Sequence, residues 1–187
     1  MPASRAEWGR LAMTQTTTAP DISRFRETMA RVCAPVSVVT TIVGDCPHGS
    51  TVSAFASLSM TPPMVMLALA KESQLWSRIE RTRRFGLNVL AEQHEEAAMA
   101  FARSGASKFD GVDWFLDDGV PRLPAVLGWV SCELASVHDG GDHVILLGTV
   151  RRTELTDGRP LTYYQREFGT HAPLAQAACS VGKGGWA

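Results

Sequence analysis

Six hydroxyl side chains (Ser50, Thr51, Ser53, Ser57, Ser59 and Thr61) crowd the stretch PHGSTVSAFASLSMTPP at 47–63, which contains no Asp, Glu, Lys or Arg. From Thr51 the odd positions Thr51, Ser53, Phe55, Ser57 and Ser59 alternate with Val52, Ala54, Ala56, Leu58 and Met60. A period of two sends one set to each side of a strand, hydroxyls to one and small apolar groups to the other. Such a row lets backbone amides approach a polar ligand, and Ser or Thr can hydrogen-bond a phosphate directly. On pattern alone the stretch also reads as a sheet strand ending in a Ser-rich loop.

Other residues offer chemistry singly. Lys108 and Phe109 sit between Gly105 and Gly111 in SGASKFDGVDWF, which marks a loop. There a lysine can present a point charge to a phosphate and a phenylalanine can cover a ring, or the pair is a surface loop with a plugging aromatic. Asn88 interrupts the apolar run FGLNVLA, and a buried amide must find partners, so it is either a structural tie or a ligand contact. His143 opens a β-branched run, and a lone histidine there is structural, solvent-facing or a ligand contact. Tyr163 and Tyr164 are cleft edges or a buried aromatic pair.

Several chemistries lack their residues. No G-x-G-x-x-G follows a strand and no G-x-x-x-x-G-K-[ST] exists, so neither a Rossmann site nor a P-loop is indicated. The five histidines form no H-E-x-x-H, and no metal site is expected; no G-x-S-x-G elbow supports serine hydrolysis. Four cysteines (Cys33, Cys46, Cys132, Cys179) lie far apart without a C-x-x-C, and read as reduced thiols of a cytoplasmic protein. Hydride transfer onto a cofactor, by contrast, asks the protein for position and electrostatics rather than acid–base machinery.

Four runs in order carry a resemblance: GSTVSAFASLSMTPP from Gly49, SKFDG at 107–111, GDH at 141–143 and PLTYY at 160–164. Together they resemble the short-chain flavin reductases, the reductase partners of two-component flavin monooxygenases, which fold as FMN-binding split barrels. The resemblance covers 25 to 170 and is nearest to reductases serving aromatic hydroxylation, including actinorhodin-type pathways. It implies hydride transfer from NADH (or NADPH) to FMN (or FAD), with reduced flavin passed to a separate flavin-dependent monooxygenase, and a homodimer that closes the flavin site. It places Thr51, Val52, Ser53, Ala54 and Phe55 along the flavin, and Ser57, Leu58 and Ser59 on its ribityl chain and phosphate. Lys108 would neutralise the phosphate, with Phe109 beside it. Val38 and Thr40 would lie in the strand beneath the ring, with Asn88 nearby, and His143 would position the nicotinamide. Two positions depart from the family: Ser50 stands where a bulky apolar residue is usual, and Ser107 where an acidic one is. A pyridoxamine-phosphate-oxidase type of protein and a non-catalytic flavin or haem binder are the alternatives.

The elements that must position these residues are legible in outline. At 187 residues with a net charge of −1, the chain reads as one domain, and the charge offers no attraction to nucleic acid or membrane. The longest apolar run, 64–70, is too short to span a bilayer. We expect an arm at 1–20, a reductase-like domain at 21–171 and a tail at 172–187, where Trp186 could dock. A helix starts at Asp21 or Ser23, and its stripe Ile22, Phe25, Met29, Val32, Cys33 reads as core. Strands follow at 36–43 and 47–63, expected to pair antiparallel, and at 64–70. A helix capped by Ser73 buries Leu75, Trp76 and Ile79 and turns Arg78, Arg81, Arg83 and Arg84 outwards, either to solvent or to an anion. Strand 85–91 precedes a short helix whose apolar positions are Ala97, Met99, Ala100 and Phe101. Long strands at 125–139 and 143–155 form a hairpin, and LTYY returns along the body. The predicted class is mainly β with peripheral helices, an antiparallel split barrel. Trp76, Trp114 and Trp129 are candidates for the dimer contact.

Overall fold

The computed structural model describes residues 19–105 and 108–174. The expected N-terminal arm up to residue 18, Ser107, and the tail from 175, with Cys179 and Trp186, lie outside the described residues.

In chain order the elements are α1 (Ile22–Met29), β1 (Ala34–Pro35), β2 (Ser37–Val43), β3 (Cys46–Val52), β4 (Phe55–Met60), β5 (Pro63–Ala70), α2 (Gln74–Thr82) and β6 (Arg84–Val89). They continue as α3 (Glu95–Ala102), β7 (Phe115–Asp117), β8 (Val120–Arg122), β9 (Gly128–Gly140), β10 (His143–Leu155), β11 (Leu161–Tyr164) and β12 (Glu167–Thr170). Seven strands form one antiparallel sheet in the order β3-β2-β6-β9-β10-β5-β4; β1, β11 and β12 form a second, and β7–β8 a hairpin. β2, SVVTTIV, is β-branched almost throughout and buried over its first five positions, as expected of a central strand.

The hydroxyl-rich stretch is not one strand. β3 pairs with β2, with Val38 opposite Thr51, while β4 pairs with β5, with Phe55 opposite Leu67, at the far edge of the sheet. Only Ser53 and Ala54 separate these two edges, and Ala68 N donates to Ala54 O at 2.9 Å across the joint. The two margins are thus spliced, which curls the sheet into the expected split barrel. Pro63 opens β5, where a missing N–H costs no interior ladder bond.

Asp21 caps α1, its Oδ1 accepting from Ser23 N at 2.9 Å and Arg24 N at 3.2 Å. The apolar stripe of α1 is not core, correcting the expectation: Ile22, Phe25, Met29 and Val32 are 65, 61, 49 and 53% exposed, and Cys33 is exposed too. Periodicity identifies an apolar face but not what covers it. α1 meets the body at the β11–β12 turn, where Gln165 N donates to Ala30 O at 2.8 Å and Arg166 pairs with Glu27 at 2.5 Å.

α2 does bury Leu75 and Ile79. It ends at Arg83, whose φ is 59°, and Arg84 already belongs to β6, where its guanidinium bonds Asp118 at 2.8 Å instead of facing solvent. α3 buries Ala98 and Phe101, whereas Met99 is half exposed. One core fills the barrel around Leu67, Phe85, Cys132 and Leu146. The other joins barrel to periphery around Val38, Leu90, Phe101, Trp129 and Leu161. Trp129, one of the three tryptophans named for a dimer contact, is wholly buried and cannot supply it, whereas Trp76 and Trp114 pack against the cores and stay partly exposed. Burial pushes the Cys132 thiol up to about 12, which leaves it inert. No helix among the described residues is long and apolar enough to cross a membrane.

Candidate functional site

β3 is a terminal strand of the large sheet, with β2 as its one neighbour, so alternate backbone amides face away from the ladder. Two adjoining clefts lie along it. The first, of about 530 Å³, has Ser50, Thr51 and Ser53 on the β3 side and Val36, Tyr163 and Phe168 among its walls. The second, of about 350 Å³, runs over His48, Gly49 and Ser50 and is lined by Arg78, Arg103 and Lys108. Ser50, Ala102 and Arg103 belong to both. One chamber is largely apolar with hydroxyls on one side; its neighbour carries three cations against the single carboxylate of Glu72.

Close packing sets the shape. Phe101, buried on α3, approaches β3 at Gly49, where a Cβ would fall 2.7 Å from the ring. Thr51 Oγ1 donates to Ala98 O at 2.6 Å and ties α3 to the strand. Phe109 meets Phe101 edge-on at 4.8 Å and Trp114 at 5.7 Å, so it plugs its loop onto the second core while still lining the cationic cleft. Lys108 Nζ donates to Phe101 O at 2.9 Å, using a carbonyl of the last turn of α3 that has no helical partner. Burial lowers the Lys108 pKa from its usual value. Burial, and then the charge of Arg78, also lower that of His48.

The expected site residues separate into groups. Thr51, Ser53, Lys108 and Phe109 line the clefts. Val38, Thr40 and Asn88 are fully enclosed and Val52 nearly so, and their side chains line neither cleft. Asn88 Nδ2 donates to Val38 O at 3.0 Å, its Oδ1 accepts from Leu123 N at 2.9 Å, and Thr40 Oγ1 donates to Pro121 O at 2.6 Å. These bonds tie β2 and β6 to β8 and the residue after it. Ala54 is exposed at the splice, and Phe55 packs against the barrel core. Ser57, Leu58 and Ser59 ride on β4 at the opposite margin and line neither cleft. His143 opens β10 opposite Ala70, with Nδ1 2.7 Å from Asp142, and also lines neither cleft.

Tyr163 lines the apolar cleft and packs on Phe168 at 5.1 Å, while Tyr164 is 45% exposed. His48, Arg103 and Phe168 went unnoticed in the sequence. A cation just past a helix C-terminus, as at Arg103, was the available signal and is also what a solvated helix end would show.

The Flavin reductase like domain family matches residues 29–172. The chain is 38% identical over 150 residues to the reductase subunit of a flavin-dependent monooxygenase of Rhodococcus jostii, covering 79% of this chain and 77% of that protein. It is 36% identical over 166 residues to the actinorhodin polyketide dimerase of Streptomyces coelicolor, covering 87% and 94%. Among solved structures, a nitrilotriacetate monooxygenase component B homologue from Mycobacterium thermoresistibile superposes with a TM-score of 0.80 at 31% identity, over 89% of this chain and 93% of that one. The Streptomyces globisporus NADH:FAD oxidoreductase, solved with NAD and FAD fragments, gives 0.79 at 28% identity, over 87% and 99%.

Proposed function

The chain belongs to the flavin reductase-like domain family, and from that premise we propose that it transfers a hydride from NADH to a flavin and passes the reduced flavin to a separate oxygenase. The observation that carries this reading is the pair of clefts on β3. A planar apolar ring with a polar edge and an anionic tail matches an apolar chamber with hydroxyls on one side, opening onto a cationic one. A bound flavin supplies the hydride-accepting chemistry. The backbone of Thr51 to Ala54 is the edge strand and splice that would meet the ring's polar edge, and Val36, Tyr163 and Phe168 exclude water. Lys108, Arg103 and Ser50 would hold the phosphate through charge-assisted and hydroxyl hydrogen bonds. His143, exposed at the barrel rim, remains the proposed positioning residue for the nicotinamide. The pyridoxamine-phosphate-oxidase and non-catalytic readings are not favoured, since the relatives above carry reductase and monooxygenase names.

The proposed assembly is a homodimer. The exposed Ile22, Phe25, Met29 and Val32 make a contiguous apolar face on α1 of the kind that a second copy covers.

The test is simple. Purified protein is mixed with NADH, with and without added FMN, and nicotinamide absorbance is followed under nitrogen. NADH consumption that depends on flavin supports the reading. Flavin-bound protein indifferent to NADH would overturn it in favour of a binding module.

A further inference from the structure

His48 lines the cationic cleft and has no task in the reading above. β3 turns Gly49 towards the Phe101 ring and Thr51 towards the Ala98 carbonyl, both on α3. Alternation along the strand therefore puts His48 and Ser50 together on its other face, two residues apart at ~3.3 Å per residue. Both line the cleft that Arg78, Arg103 and Lys108 also line. An imidazole and a hydroxyl at that spacing can bond the oxygens of one phosphate between them.

The ring is also free to do so. His94, His138 and His143 each have a ring nitrogen within 3.2 Å of a protein partner. Among the described residues His48 has no such partner, although it is partly buried. His171 has none either, but it is exposed and lines none of the clefts.

Charge decides the protonation of this ring. Around it stand Arg78 from α2, Glu72 from the β5–α2 turn, and Arg103 and Lys108 from the end of α3 and the loop beyond. On the side towards Cys46 stands Arg81, and opposite it on β2 is the uncharged Thr41. Burial first, and Arg78 second, hold the His48 pKa below the usual 6.5, which favours the neutral ring at pH 7. A phosphate dianion among these groups reverses the local sign, since an anion within ~4–6 Å favours the charged form. The arginines and Lys108 are cations throughout; a histidine adds its positive charge only when an anion is there to meet it.

We infer that His48 is a proton-coupled contact for the anionic group of this cleft, taking a proton from solvent as a phosphate enters and returning it as the phosphate leaves. This rests on the phosphate reading of the cleft and adds to it a pH dependence that the fixed cations do not supply. Affinity falls as pH rises through the titration of His48 in the bound form.

The imidazole signals are followed by NMR against pH, with His48 assigned by its loss in His48→Gln, for apoprotein and with saturating FMN, riboflavin or sulfate. FMN and sulfate should move the His48 titration upwards by about one to three pH units, and riboflavin, which has no phosphate, should not. Calorimetry of FMN binding at pH 7, in buffers of different ionisation enthalpy, should show net proton uptake in wild type and none in His48→Gln. FMN affinity of the variant should be about tenfold lower at pH 6.5 and within about twofold of wild type at pH 9. A His48 titration that bound FMN and bound sulfate both leave in place would overturn the inference, as would equal proton uptake in His48→Gln. Equal movement by riboflavin would overturn it too, since the contact would then lie with the ring. If FMN fails to bind while sulfate still moves His48, the flavin reading falls and the proton-coupled anion contact stands.

Discussion

Gly49 packs directly against Phe101: a Cβ on the glycine would fall 2.7 Å from Cε1 and 2.9 Å from Cδ1 of the ring, with Phe109 Cε2 3.4 Å away. No side chain fits between strand and helix here. Gly49→Ala should therefore destabilise the protein by about 1–3 kcal/mol, the usual cost of overpacking, seen as a lower urea midpoint at constant slope. Adding Phe101→Leu should recover part of the loss. An unchanged midpoint in Gly49→Ala would mean that the ring yields freely.

Asn88 separates architecture from ligand contact. Asn88→Leu strands the Leu123 N–H inside the core and removes a second bond to the Val38 carbonyl, which keeps its place in the β2–β6 ladder. The expected cost is about 1–3 kcal/mol, from one buried group left unpaired. Flavin affinity of the folded fraction should hold. Intact stability with weakened flavin binding would instead make Asn88 a ligand contact.

Lys108→Ala should weaken FMN binding by about 10- to 100-fold, the loss of one charge-assisted contact. Riboflavin, lacking the phosphate, should bind as before, and turnover at saturating FMN should hold, since the contact acts on ground and transition states alike. The phosphate needs the ammonium form, and burial lowers the Lys108 pKa below its usual 10.5. FMN affinity should thus fall on the alkaline side at a lower pH than an ordinary lysine would give. Lys108→Arg should keep it level. Equal loss of riboflavin binding in Lys108→Ala would point to a collapsed α3 terminus.

Asp118 should set acid sensitivity. Its hydrogen bond from Ser131, at 2.6 Å, and then Arg84 lower its pKa below the usual 3.8. A depressed carboxylate contributes stability that is present above its unfolded value and is lost as pH falls below about 3.8. Asp118→Asn should cost about 1–2 kcal/mol at neutral pH and flatten the acid limb of the thermal midpoint. An acid limb identical to wild type would assign the sensitivity to another carboxylate.

Locally encoded features were legible in the sequence. The β-branched 36–43 strand, the Leu75/Ile79 face of α2 and the 143–155 arm of the hairpin each announce themselves within about a dozen residues, because propensity and periodicity act over that range. What the sequence hid is decided at long range. Nothing within 47–63 says that Thr51 pairs with Val38 and Phe55 with Leu67, on opposite margins of the sheet. The α1 stripe looked like core because its pattern is the same whether the cover is its own chain or another surface. The β7–β8 hairpin turns through Asp118 and Gly119, with φ values of 44° and 72°, the pair such a two-residue turn prefers; it escaped because its strands are only three residues each, too short to show an alternating pattern. In the site, Lys108 and Phe109 were recognisable by motif. Arg78 and Arg103 acquire meaning only once α2 and α3 are laid against β3.

The two-residue splice at Ser53–Ala54 has a mechanical consequence. A strand that slips by one residue turns every side chain to the other face, and most edge strands resist this only through their own ladder. Here β3 cannot slide along β2 without dragging β4 along β5, so each margin proofreads the register of the other. The strand beneath the clefts is held in phase from the opposite end of the sheet.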